Sequence, residues 1–276
     1  MRNIWQGYIK LMIPIGKNNY LVDIPDREHE AILRLFELPF IYQPFFTALG
    51  FNSPLAWYLL EIREHHFTDL LASEVDILGG PLVFTDFGEI NWSQSTKYLI
   101  AVEVKCAYRH EDSIKSQKSS PQKMNKIQSK IEELLKAGFD KAVLLDIIAN
   151  PPASGSDIRA WFNTLDMANT SLKMFHILQD RLSNDLPAGH WVWSWGSVIG
   201  GEETDRGAGA PVELRRADQN PFLKGDLKVQ TRRREVERKL YEILSKFSMP
   251  LSFGYSVILI DCRYCGKIHS VKDSCQ

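Results

Sequence analysis

The stretch Tyr98–Tyr108 reads YLIAVEVKCAY. Its apolar, β-branched run predicts a strand, yet Glu103 and Lys105 stand in its middle. Residues two apart share a face of a strand, so Ala101, Glu103 and Lys105 point one way and Val102, Val104 and Cys106 the other. Leu99 and Ile100 extend the apolar run, as in a strand covered on both faces. Charges in such a place cost several kcal/mol unless they are paired or bound to a metal.

A second acid upstream has the same character. The segment SEVDIL, residues 73–78, sets Asp76 between Val75 and Ile77 in another apolar strand. With the two strands as neighbours, Asp76 and Glu103 converge at one sheet edge. Two carboxylates and a main-chain carbonyl are the oxygen ligands that Mg²⁺ prefers. A lysine beside them, Lys105, can orient a water and stabilise charge growing on a phosphate.

Asp76, followed 27 residues on by Glu103-Val104-Lys105, resembles the PD-(D/E)XK nuclease superfamily, with its restriction-endonuclease-like fold. The likeness covers residues 50–195: a helix bearing an acid, the Asp strand, a hairpin, the E-x-K strand, then a helix and a strand. Glu74-Val75 stands where a proline often precedes the aspartate. The resemblance implies that Asp76, Glu103 and the Val104 carbonyl hold Mg²⁺ or Mn²⁺, and that Lys105 positions or activates the attacking water. It also implies a metal- or water-facing acid at Glu61, and an active-site glutamine at Gln128. A polar helix face accounts for Gln128 as well, and a solvated helix acid for Glu61.

The activity implied is that of a Mg²⁺-dependent endodeoxyribonuclease with DNA as the favoured partner, in a restriction or antiviral-defence setting. Two other readings stay open: an inactive interaction subunit on the same fold, and a zinc-containing nucleic-acid-binding protein. Homo-oligomer and subunit of a larger complex stay open too.

The bulk properties bound these readings. The chain has 276 residues, 44% hydrophobic and 24% charged, enough for a sizeable globular core. A formal net charge of −1 advertises no global polyanion-binding field. Residues 1–19 are broken by Gln6, Lys10, Pro14 and Lys17 and do not read as a secretory signal. No apolar run approaches the ~20 residues of a bilayer span, so a cytoplasmic protein without membrane contact is expected.

The fold expected is α/β: a restriction-endonuclease-like core with a mixed central sheet flanked by helices, and a small zinc-binding C-terminal tail. The chain divides into an appendage (1–49), the core (50–199) and an extension (200–276). Residues 8–24 read as a strand or hairpin and 28–37 as a helix stopping before Pro39. Ser53 and Pro54 predict a helix start, with LAWYLLEIREHHF as its body. Gly79-Gly80-Pro81 breaks the Asp76 strand. A helix over 124–137 has Ile127, Ile131, Leu134 and Leu135 inward and Gly138 as its stop. Strands follow at KAVLLDII, HWVWSWGSV and YSVILIDC. Helices are expected over 155–183 and 231–247, the latter with Val236, Leu240, Ile243 and Leu244 inward, and a long loop over 200–230.

The tail places Cys262, Cys265, His269 and Cys275 as C-x2-C-x3-H-x5-C. Four such ligands, starting with C-x2-C and a Gly266 turn, suit structural tetrahedral Zn²⁺. Two basic sets are candidates for phosphate contact: Arg232, Arg233, Arg234, Arg238 and Lys239, and Lys115, Lys118, Lys123, Lys126 and Lys130. Trp191, Trp193 and Trp195 alternate on one strand face, with core packing favoured over base stacking. His65 and His66 are read as surface or structural.

Overall fold

A computed structural model describes residues 27–37, 39–51, 55–67, 70–108, 121–149, 178, 181–194, 211–247 and 256–271. The expected hairpin at 8–24, most of the 155–183 helix, and Lys115, Lys118, Trp195 and Cys275 lie outside them.

The described chain runs α1 (Arg27–Glu37), α2 (Pro39–Ala48), β1 (Ala56–Ile62), a 3-10 turn (Glu64–Phe67), β2 (Val75–Pro81), α3 (Trp92–Ser95), β3 (Ile100–Tyr108), α4 (Pro121–Ala137), β4 (Lys141–Ala149), β5 (Gly189–Ser194), β6 (Val212–Arg215), α5 (Phe222–Gly225), α6 (Leu227–Leu244), β7 (Val257–Asp261) and β8 (Ile268–Ser270). The strands form one mixed eight-stranded sheet in the order β6-β5-β4-β3-β2-β1-β7-β8. β1, β2 and β3 make an antiparallel meander; β4 joins β3 in parallel after the α4 crossover. β7 pairs in parallel with β1 through Leu60↔Ile260, so the 200–276 segment supplies strands to the same sheet.

Helices cover both faces. On one, α4 and α6 bury Ile131, Leu134 and Leu240 against Trp57, Leu59, Ala101 and Leu144. On the other, α1 and α2 bury Phe36, Phe45 and Phe46 against Tyr58, Val102, Leu145 and Trp191. Trp191 and Trp193 are core residues.

Burial on two faces explains the largest misreading. The segment predicted as a helix over 55–67 is strand β1, in which all seven residues are buried. A strand covered on both sides loses its polar alternation, and WYLLEI then imitates a buried helix. Gly79 and Gly80 do not break β2 but lie within it. A Cβ at Gly80 would come 2.6 Å from Trp57 Nε1, and one at Gly79 3.0 Å from Tyr58 Cδ1, so the pair lets two aromatic side chains cross the strand.

Residues 200–230 are no uniform loop. β6 and α5 lie there, and α6 starts at Leu227 rather than 231, with Asp226 Oδ1 capping the amides of Lys228 (2.8 Å) and Val229 (3.3 Å). The inward stripe of α6 runs back from Leu240 through Val236 to Arg233 and Val229. Arg233 is therefore not a surface phosphate contact. It is buried and paired with Asp140 (2.7 Å) and Glu237 (2.8 Å), and donates to the carbonyls of Gly138 (2.9 Å) and Lys97 (2.6 Å).

Gly138 ends α4 at φ +96°, and a Cβ there would meet Arg233 Cβ at 2.7 Å. Gly138→Ala is expected to cost about 1–3 kcal/mol, from left-handed backbone strain plus that overlap. The urea-unfolding midpoint measures it.

Candidate functional site

The acids predicted from the sequence lie where β1, β2 and β3 end their regular pairing. β1 and β2 pair Leu60↔Ile77 and Ile62↔Val75, which sets Glu61 opposite Asp76. At that position the alternation slips by one residue in both strands. Leu60 and Ile77 belong to the α1–α2 face, while Ile62 and Val75 belong to the α4–α6 face. Glu61 takes φ +52°, a left-handed conformation that is strained for a side chain of its size. Glu61 is thus on a strand, not on the helix expected, and its carboxylate is buried against His29 Nδ1 from α1.

The β2–β3 pairing runs as far as Ile77↔Val102. Beyond it the Val104 N–H donates to Asp76 Oδ2 at 2.6 Å, so the carboxylate substitutes for the next rung of the ladder. That bond fixes Asp76 beside the E-x-K strand. Asp76 and Glu103 are both buried, at 6% and 7% exposure, which is rare for acids without a full set of partners.

The Lys105 ammonium gathers oxygens around itself. It lies 3.0 Å from Glu103 Oε1, and donates to the Val104 carbonyl at 2.7 Å and to Glu28 Oε2 at 3.1 Å. Glu28 lies on the first turn of α1, the helix expected over 28–37. Burial works against the charge on Lys105, but Asp76, Glu103 and Glu28 outweigh it, and its pKa is raised. Lys105 is therefore a permanent cation near neutral pH.

Three carboxyl groups, Glu28, Asp76 and Glu103, face this one ammonium, and the imbalance shows at Asp76. Burial, then the charge of Glu103, push the Asp76 carboxyl well above the usual carboxylate range, although Lys105 and the Val104 N–H act the other way. Protonation of Asp76 then favours the folded state. This contribution is complete below the unfolded pKa of about 3.9 and is lost as pH rises toward the folded value. Compared with Asp76→Asn, which keeps an acceptor for Val104 N–H, wild type freed of divalent ions should lose stability as pH rises from about 4, the opposite contribution of His190 being common to both proteins. Melting temperatures of the two proteins from pH 4 to 8 in metal-free buffer test the expectation.

A second buried cluster stands next along the sheet. Lys105 pairs in register with Asp146 of β4. The Asp146 carboxylate accepts from Arg181 and, at 2.7 Å, from His190 Nε2 of β5. Burial pulls Arg181 down to about 10, against the pull of Glu28. Burial, then Arg181 and Arg215, push His190 down to about 3, so His190 is neutral and donates from Nε2. The sequence carries a signal for this cluster. Asp146 interrupts KAVLLDII just as Asp76 interrupts SEVDIL.

Gln128 is half-buried on α4 and, among the described residues, makes no hydrogen bond to Asp76, Glu103 or Lys105. Lys130 is not a phosphate contact either. It is buried and donates to Ser73 Oγ and the Glu74 carbonyl, each at 2.5 Å. Lys123 and Lys126, nearer the start of the same helix, are exposed, as are Arg232 and Arg234 on α6.

At the far end of β7 the ligand atoms of Cys262, Cys265 and His269 all lie within 4.8 Å of one another, so the structure brings together the three expected ligands that it describes. His65, His66 and Asp261 form a comparable group. There the Asp261 carboxylate is already taken: Arg63 donates to it from its backbone N (3.0 Å), Nε (2.9 Å) and Nη2 (2.5 Å), and His66 Nε2 lies at 3.1 Å. That group is an ion-pair knot tying the 3-10 turn to β7.

Among the described residues no helix is long and apolar enough to cross a membrane. No protein-family model matches the chain, and no curated protein sequence matches it. Among solved structures, that of SfsA from Pyrococcus furiosus in complex with Ca²⁺ is similar to it at 12% identity and a TM-score of 0.26. The match covers 69% of this chain and 63% of that one, so the chain spans less than two thirds of that protein's length. What the geometry itself establishes is a mixed α/β protein with buried acids and one lysine gathered at one end of the middle strands of its sheet.

Proposed function

We propose that the chain is a divalent-metal-dependent nuclease that hydrolyses phosphodiester bonds of DNA, built on a restriction-endonuclease-like core. One observation carries the reading. The Glu103 carboxylate and the Val104 carbonyl, two of the ligands that the resemblance assigns to a metal, already surround a cation, the Lys105 ammonium, with Asp76 alongside. The order of elements supports it: helix, antiparallel meander β1–β2–β3, crossover helix α4, parallel β4.

The residues fit a hard divalent ion. Every donor in the set is oxygen, and three carboxyls share one lysine, so a doubly charged ion would offset the negative charge that, after burial, raises Asp76. Asp76, Glu103 and the Val104 carbonyl would hold it, with Glu28 close by. When bound, such an ion polarises the phosphate and lowers the pKa of water.

The protein's own groups do the remaining work. The Val104 N–H holds Asp76 in place. Lys105, kept protonated by its neighbours, donates to the attacking water or to the phosphate oxygens and offsets charge developing there. The strand register sets Asp146 beside Lys105, and Arg181 and His190 hold its carboxylate, so the wall next to the lysine is rigid. Lys126, Arg232 and Arg234 are exposed cations of the kind that contact a phosphate backbone.

The test is incubation of purified protein with labelled single- and double-stranded DNA and RNA under Mg²⁺ or Mn²⁺. Metal-dependent cutting of DNA is the expected result. Cutting of RNA alone would redirect the substrate assignment, and no cutting of any substrate would favour an inactive subunit on this fold.

A further inference from the structure

The hairpin β7–β8 carries chemistry that phosphodiester hydrolysis does not use. Cys262 follows β7, Cys265 and Gly266 lie in the connecting turn, and His269 is the middle residue of β8. The backbone folds back tightly: Gly266 N–H donates to the Cys262 carbonyl at 2.8 Å, and Cys262 N–H to the Lys267 carbonyl at 3.0 Å. Gly266 takes φ +70°, which closes the turn without strain. His269 Nδ1 lies 2.8 Å from the Ser270 carbonyl. A carbonyl only accepts, so Nδ1 carries the proton and Nε2 presents a lone pair, the tautomer a metal-bound histidine needs.

We propose that this hairpin binds one Zn²⁺ through Cys262 Sγ, Cys265 Sγ and His269 Nε2. The choice of metal follows from the donors: two thiolates and an imidazole select a soft or borderline ion and reject the hard ion suited to Asp76 and Glu103. Bonds of about 2.0–2.3 Å in a tetrahedron set ligand atoms roughly 3.3–3.8 Å apart. One ligand atom from each of the three residues lies within 4.8 Å of the others, so small side-chain rotations complete the set.

The position gives the ion a task. β7 runs parallel to β1, so the turn at Cys262 lies at the same end of the strands as Glu61 and Asp76. Arg263, between the two cysteines, pairs with Glu74 at 2.8 Å, two residues before Asp76. Zn²⁺ would thereby fix the turn that carries Arg263 beside Glu74, and it would do so whether or not the chain cleaves DNA.

The experiment reads metal and needs no activity. The full chain is loaded with Zn²⁺, dialysed, and analysed for metal content and by zinc K-edge absorption. One zinc per chain with sulfur in its first shell at about 2.3 Å is expected. Cys262→Ser with Cys265→Ser should lower the zinc content at least about tenfold. If that variant does not fold, the absorption spectrum of the wild type decides alone. A zinc-free wild type overturns the proposal. So does a shell of nitrogen and oxygen only, which would place the ion at His65, His66 and Asp261.

Discussion

Lys105→Met should lower DNA cleavage by about 10²–10³-fold, the usual loss when one preorganised charge donor is removed from a reacting phosphate or oxyanion. Asp76→Asn and Glu103→Gln should each lose at least as much, because each removes a negative ligand from the same cation site. The variants should nevertheless differ in stability. In Lys105→Met, Glu28, Asp76 and Glu103 lose the one ammonium they share, so the metal-free protein should be destabilised near neutral pH. In Asp76→Asn the excess charge falls, and metal-free protein should be more stable than wild type at that pH. Opposite shifts in melting temperature, accompanied by parallel losses of activity, would separate chemistry from folding. Cleavage undiminished in Lys105→Met and Asp76→Asn would remove the enzymatic reading.

The second large effect is expected at Asp146. Its carboxylate holds a fully buried arginine, Arg181, at 1% exposure, and the neutral His190. Asp146→Ala would leave that guanidinium without its carboxylate and should cost about 3–5 kcal/mol, the range for breaking one side of a buried ion pair. Replacing both partners with apolar side chains, Asp146→Leu with Arg181→Met, should recover most of the loss, since desolvating the pair offsets much of its attraction. Urea unfolding of the single and double variants measures the difference. If the double variant is stable yet cleaves poorly, the Asp146 cluster also orients Lys105, its register partner.

How far the sequence could be read follows from the range of each interaction. The E-x-K strand, the α4 helix with its Gly138 stop and the inward stripe of α6 were legible, because local pattern and turn chemistry specify them. β1 was not: buried on both faces, it shows no period of two, and only its pairing with β2 and β7 reveals it. Glu61 was therefore assigned to the wrong element. The helix acid near Lys105 is Glu28, 77 residues away in the chain, and no spacing rule reaches so far. Arg233 was misread for a related reason. It occupies an apolar stripe position of α6, but its run of neighbouring arginines suggested a solvated basic face. Asp146, by contrast, was open to the rule already applied to Asp76, that a lone acid in an apolar strand needs a partner.

The most direct test is calorimetric titration of Mn²⁺ into zinc-loaded wild type, Asp76→Asn and Glu103→Gln at neutral pH. Wild type should bind Mn²⁺, and both variants should lose the binding. Wild type that binds no Mn²⁺, or variants that bind it unchanged, would contradict a cation site built from Asp76, Glu103 and the Val104 carbonyl.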